Sequence, residues 1–326
     1  MGSSFQTDVP EIRLPEEPSP PDYVMPSSPR QPRESTWLYV ALFCLTVVTT
    51  TQAGAAHYEG FFLGFSGGQV PFTAFELMIR GLWYSASILA ILGAHEFGHY
   101  FACRYYGVNA SLPYFLPMPI AITGTLGAFI RIRQQIPSKR QLFDIGIAGP
   151  IAGFLVAVPV LMIGMYLSRV IEIPKDFSGY EMGEPLLFKA ASWLTFGSLA
   201  DGYSVNMHPM AFAAWFGLLA TALNLFPMSQ LDGGHISYAV LGRKSTIVTA
   251  ATVVCLVGLT FVSSSWIVWT VLTVGMLLTF GLRHPQTADE GVPLDAGRLW
   301  LAAFALLMFI LCFSPAPIEP LDLVSR

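Results

Sequence analysis

Seven apolar stretches, near 37–53, 81–104, 145–168, 208–227, 246–263, 266–282 and 299–313, constrain this 326-residue chain more than any other feature. A helix of roughly 20 apolar residues crosses the hydrocarbon core of a bilayer. Several of the seven are shorter than that, and their ends are read as running into the flanks. In lipid every backbone polar group must bond within the chain, so only helices or closed barrels cross. Composition agrees: 53% of the residues are hydrophobic and 12% charged, where soluble domains carry about 25% charged residues. The expectation is an all-α polytopic membrane protein of about seven transmembrane helices, with a small membrane-associated β-element and the lipid bilayer as its surroundings. The net charge of −4 says little about partners, but no stretch resembles a basic nucleic-acid footprint, so no nucleic-acid partner is expected.

Residues 1–35 read differently. They hold eight prolines, six acids and three arginines, and such a segment cannot bury enough apolar surface to offset its ordering entropy. It is expected to be a disordered cytoplasmic tail ahead of a membrane-embedded domain over 36–326. It lacks the short apolar region of a signal peptide and the acid-poor composition of a transit peptide. With the N-terminus in the cytoplasm, twelve Lys and Arg residues fall on the cytoplasmic side and five on the other, which is the positive-inside bias. The default location is therefore a bacterial inner membrane. Cys44, Cys103, Cys255 and Cys312 are scattered singly and read as small buried hydrophobes. The stretch 186–200 is short and contains Lys189; it reads as an interfacial helix.

Ionisable residues inside a span are functional by default, and the second span contains three. His95-Glu96-Phe97-Gly98-His99 reads HExxH. On a helix, residues i and i+4 share a face, so both imidazoles can reach one metal ion, with Glu96 on the adjoining side. Counted back from Arg104 at the cytoplasmic surface, the two histidines lie roughly 8–14 Å inside the membrane at 1.5 Å per residue. Catalytic zinc takes three protein ligands, and the candidate third is Asp232 in ALNLFPMSQLDGGHI, residues 222–236. Pro227 ends the fourth span. A carboxylate on a broken helix at membrane depth is tolerated only where it lines a cavity or meets a partner. A divalent cation, one aspartate, one hydroxide and two neutral imidazoles sum to a neutral centre, which lipid can surround far more cheaply than its separate charges.

With both stretches in hand the chain resembles the site-2 proteases, the intramembrane zinc metalloproteases. The pattern HExxH, followed on a later span by N-x-x-P-x-x-x-L-D-G, is met here by Asn224, Pro227, Leu231, Asp232 and Gly233. The resemblance covers roughly residues 80–245. It implies one Zn²⁺ per chain held by His95, His99 and Asp232, Glu96 as general base, and Asn224 holding substrate near the metal. The implied partners are transmembrane-helix protein substrates, single-span and already shortened by another protease, cut near the cytoplasmic side in regulated intramembrane proteolysis. The resemblance also implies a β-element beside the active site. The alternating end of ITGTLGAFIRIR, residues 122–133, reads as a strand. Many relatives carry a PDZ domain; the stretch 169–207 is too short for one, so a compact member without PDZ is expected. Gly149-Pro150-Ile151-Ala152-Gly153 reads as close helix packing. His235, after the double glycine, is a candidate neighbour of the metal; His208 reads as a helix-start residue, and His57 and His284 as loop residues.

Two other functions compete. A membrane metal-ion transporter would use the same His and Asp ligands transiently and needs further weakly binding acids within the spans. A di-iron membrane oxygenase needs many histidines, and six are too few.

Overall fold

Helices form wherever an apolar run leaves the backbone no other bonding partner, and they dominate the computed structural model. It describes residues 35–65, 68–119, 122–174, 178–228, 230–282 and 284–322. The tail expected over 1–35 lies almost wholly outside the described residues. Helices α1 (Thr36–Leu63), α2 (Ala74–Tyr105) and α3 (Lys139–Leu167) come first, with strands β1 (Tyr114–Pro117) and β2 (Thr125–Phe129) between the last two. Next are β3 (Arg169–Glu172), β4 (Ser178–Met182), α4 (Leu186–Phe196), β5 (Tyr203–Asn206) and α5 (Pro209–Asn224). The chain closes with α6 (Asp232–Leu241), α7 (Ser245–Leu259), α8 (Ser265–Phe280), α9 (Ala296–Cys312) and β6 (Ile318–Asp322).

Among the described residues, four helical runs are long and apolar enough to cross a membrane: α1, α2, α3 and the 28-residue run Asp232–Leu259. The expected count of seven is not reproduced by length. α5, α8 and α9 sit at three of the expected positions, but at 16, 16 and 17 residues they rise only ~24–26 Å at 1.5 Å per residue. The fourth run is itself broken by a single 3-10 turn, Gly242–Lys244, so α6 and α7 are separate helices. α4 has 11 residues and cannot cross, in keeping with the interfacial reading.

α5 is the hub. Ala211, Ala213, Ala214, Trp215 and Leu218 on it are fully buried, and it packs against α2, α3 and α9. A helix apolar all round belongs in the interior, and here that interior is protein. Its start is set by His208, whose ring accepts a hydrogen bond from the Met210 amide. Its end follows from Pro227, after which tight turns run Phe226 to Leu223, Met228 to Phe226 and Leu231 to Met228. Thr249 on α7 donates to the Pro227 carbonyl at 3.0 Å, closing the turn.

β1 and β2 form an antiparallel hairpin, Tyr114 opposite Phe129 and Phe115 opposite Ala128. The sequence expects the strand in the alternation 129–133; it lies instead at 125–129, and Ile132 makes only an isolated bridge to Ala110. The ladder to β1 is what decides: it spans 125–129, whereas Arg131 and Arg133 exchange two backbone bonds with Ser111 and Asn109, at 3.0 Å each. The hairpin wedges between α1 and α2. Tyr84 on α2 donates to the Thr123 carbonyl at 3.0 Å, and His57 pairs with the Ile122 carbonyl at 2.8 Å. His57 is thus a helix residue of α1, not a loop residue. Irregular backbone at this depth needs such polar partners, and α1 also buries Thr46, Thr49, Thr50 and Thr51 on this side. Cys103 and Cys312 are buried as expected, whereas Cys44 and Cys255 are exposed on outward faces of their helices.

Candidate metal centre

His95 and His99 lie one turn apart on α2, and α6 brings Asp232 against both. The Asp232 carboxylate oxygens are 3.2 Å from His95 Nε2 and 3.3 Å from His99 Nε2. The two Nε2 atoms are 3.1 Å apart, and the three side chains offer ligand atoms all within 4.8 Å of one another. His95 and His99 are 6% and 7% exposed. The residues expected as ligands from distant parts of the sequence therefore converge. Neutral imidazole nitrogens and a carboxylate all present lone pairs to the same point, a donor set that suits one divalent cation.

The orientation of His99 comes from α3. Its Nδ1 donates to the Ile145 carbonyl at 2.7 Å, which fixes the tautomer and leaves the Nε2 lone pair for a metal. Gly149, one turn on, makes room for the ring: a Cβ there would stand 2.1 Å from His99 Nε2. The small residues of Gly149–Gly153 do serve close helix packing, as their spacing suggests, but the object packed is the ligand itself. No sequence signal separates a glycine under a ligand from one under any other helix.

Glu96 is 7% exposed and faces the same point. It accepts a hydrogen bond from the Ile130 amide just past β2. Asn224, at the end of α5, has Nδ2 3.3 Å from His95 Nε2. His95, Glu96, His99, Asn224 and Asp232, with Ala128 and Phe129 of β2 and Ile130 just past it, line a cavity of about 220 Å³. The Ile130 amide and the Ile145 carbonyl are backbone groups, invisible to residue-type reasoning.

His235 lines the same cavity, with no ligand contact of its own. Its Nδ1 is 2.7 Å from His284 Nε2. His284 Nδ1 bonds to the Pro285 carbonyl at 2.7 Å, which only accepts, so Nδ1 carries the proton and Nε2 accepts from His235. The His284 ring stacks on Tyr238 at 4.4 Å, and burial lowers its pKa from the ordinary 6.5. That pair was missed because the two histidines are far apart in sequence.

Mostly helical, built of apolar runs and carrying a buried His-His-Asp cluster with an adjoining glutamate, the molecule is a membrane protein with a donor set suited to one divalent cation. The sequence profile of peptidase family M50 matches residues 83–265, more than half of the chain. The chain belongs to this family, the site-2 proteases. Curated relatives are plant proteins. The probable zinc metalloprotease EGY2, chloroplastic, of Arabidopsis thaliana is 29% identical over 249 residues, covering 76% of this chain and 44% of that protein. Its namesake in Oryza sativa subsp. indica is 29% identical over 329 residues, covering 95% and 56%. The probable zinc metallopeptidase EGY3, chloroplastic, of Arabidopsis thaliana is 29% identical over 299 residues, covering 85% and 48%. The chain spans about half the length of the curated relatives it matches.

Proposed function

We propose that the chain is an intramembrane zinc metalloprotease that hydrolyses peptide bonds within transmembrane helices. The observation that carries this reading is the convergence of His95, His99 and Asp232 beside the Glu96 carboxylate in one buried cavity. His95, His99 and Asp232 would hold a single Zn²⁺, which would supply Lewis acidity for the attack of water on the scissile carbonyl. Glu96 takes the proton from that water and delivers it to the leaving nitrogen, with the Ile130 amide holding the carboxylate in place. The Asn224 amide donates to the carbonyl oxygen as negative charge develops there.

A helix in lipid has all its peptide groups bonded and must unwind before attack. β2 lines the cavity through Ala128 and Phe129, so an unwound segment can add to it as a strand and keep its backbone satisfied. Preferred substrates are single-span proteins, shortened by a prior protease, with helix-weak Gly, Pro or polar residues near the cytoplasmic side. Cleavage releases a regulatory domain on that side. The N-terminus is cytoplasmic on the Lys and Arg count. The expectation of a bacterial inner membrane has no support in the relatives, which are named as chloroplastic. A cation transporter would need further clusters of ligands, and among the described residues His95, His99 and Asp232 form one group.

The test is Glu96→Gln against a single-span substrate in liposomes. The variant should keep its zinc and lose about 10²–10⁴-fold in cleavage rate, the usual contribution of a positioned base. Wild-type protein that moves metal across the bilayer and cuts nothing would end the hydrolytic reading.

A further inference from the structure

The cavity of the metal centre has a neighbour that no motif touches. An apolar cavity of about 160 Å³ lies beyond Asn224 and Leu231, two residues that also line the cavity of the histidines and Asp232. Its remaining walls include Leu256 of α7 and Trp269, Thr273 and Met276 of α8, and no charged residue lines it. Leu256 is 1% and Thr273 9% exposed, so the inner wall is fixed by packing, while Leu272 at 59% leaves the outer side open.

Size and polarity define what fits. An apolar cavity of about 150 Å³ stays dry and takes up benzene. A cavity of this kind therefore takes one aromatic or branched aliphatic side chain in preference to water. It shares Asn224 with the metal cavity, and that residue stands beside the expected ligand His95. A substrate carbonyl held by Asn224 puts the side chain next to the cut bond at that shared wall. Such a side chain faces a specific difficulty. It leaves lipid, which is as apolar as leucine, and enters a cavity lined by Glu96, Asp232 and Gln230. A dry pocket beside the cut removes that penalty.

We infer that the cavity between the end of α5, α7 and α8 is a specificity pocket for one large apolar side chain, of Leu, Met or Phe size, flanking the bond that is cut. The inference rests on the protease reading. It predicts that cleavage is directed to a helix-weak segment that carries one large apolar residue at a fixed offset, and not to weak segments in general.

Two measurements test it. In liposomes, the zinc-loaded enzyme is given single-span substrates differing only at the residues on either side of the cut, as Ala, Leu or Phe. At one of those positions, Leu or Phe should exceed Ala in kcat/KM by about tenfold or more, the range for apolar pockets that gain or lose a methylene. Thr273→Phe fills the pocket and should bring the Leu-to-Ala ratio to about one. Met276→Ala enlarges it and should raise the Phe-to-Leu ratio. Ratios within one variant cancel any general loss of folding or of zinc, and if Thr273→Phe does not fold, the Met276→Ala ratio decides. Independently of turnover, a photo-crosslinking residue at the same substrate position should couple to α8 around Thr273 and Met276 in the Glu96→Gln protein. Unmoved ratios with cleavage retained, or crosslinks confined to other elements, overturn the pocket and leave the protease reading standing. A wild type that cleaves none of the substrates takes down the protease reading, and the pocket with it.

Discussion

The imidazole of His99 has both nitrogens assigned by neighbours on other helices. Ile145 on α3 takes the Nδ1 proton, and Asp232 on α6 faces Nε2. Packing supplies the third restraint, because Gly149 leaves no atom where the ring must lie. A residue whose only contribution is a missing methyl group is easily overlooked, yet its replacement acts directly on a ligand. Gly149→Ala should lower zinc affinity by at least about 10–100-fold, the range found when groups that orient ligands are altered. Glu96→Gln should leave zinc content intact. Zinc stoichiometry after dialysis against a weak chelator separates the two variants, and full retention by Gly149→Ala would mean that α3 yields more readily than its packing implies. Thermal unfolding of both proteins guards against simple misfolding.

At the scale of elements, the β1–β2 hairpin matters most. Short two-stranded ribbons are marginal alone, and this one is held by what surrounds it. Tyr84 and His57 bond its tip, and Gly124 passes against α1 at φ +69°, where a Cβ would stand 2.6 Å from the Thr49 carbonyl oxygen. A left-handed backbone conformation costs a non-glycine residue about 1–2 kcal/mol, and the contact adds to that. Gly124→Ala should therefore displace the hairpin and with it the Ile130 amide that holds Glu96. Cleavage should fall while zinc is retained, the reverse of the Gly149→Ala pattern in metal content. Zinc loss from Gly124→Ala would instead tie the hairpin to the ligands themselves. Glycine, alternation and polarity signal a strand somewhere in 122–133. The exact register was not legible, because it depends on β1, a Pro-flanked segment with no alternation of its own.

For the whole molecule, cross-chain contacts gather at two ends of α3. At its start, Asp289 accepts from the Ser138 hydroxyl and the Lys139 amide, both at 2.8 Å, and Arg298 on α9 grips Asp144 through two bonds, one of 2.8 Å. Arg243 pairs with Glu290 at 3.1 Å in the same region. Past its other end, β3 pairs with β5 and β4 with β6. That α5, α7, α8 and α9 each cross in spite of their short lengths is a proposal that goes beyond the four helical runs long enough to span. Locally thinned lipid accommodates short helices at modest cost. Single cysteines test it: with the four native cysteines replaced, Gln286→Cys should react with a membrane-impermeant maleimide from the N-terminal side, and Asp201→Cys from the opposite side. Labelling of both from one side would remove the odd number of crossings and the proposed orientation together.

The sequence by itself determined the apolar surroundings and the helical class, and it pointed to the candidate chemistry. Apolar run length decides what a bilayer accepts, and helical period puts His95 and His99 on one face, while the resemblance adds Asp232 as candidate third ligand and Glu96 as candidate base. It also carried the family. Only the tertiary structure decided which glycine sits under which expected ligand, which backbone groups hold Glu96 and His99, how far the hairpin enters between α1 and α2, and that an apolar cavity adjoins the one lined by the histidines. Those facts depend on backbone atoms and on distances between elements remote in the chain, which residue identity does not encode one position at a time. Helix number fell between the two: composition marked every apolar segment, but burial of α5 by its neighbours replaced lipid with protein and relaxed the length that lipid alone would require.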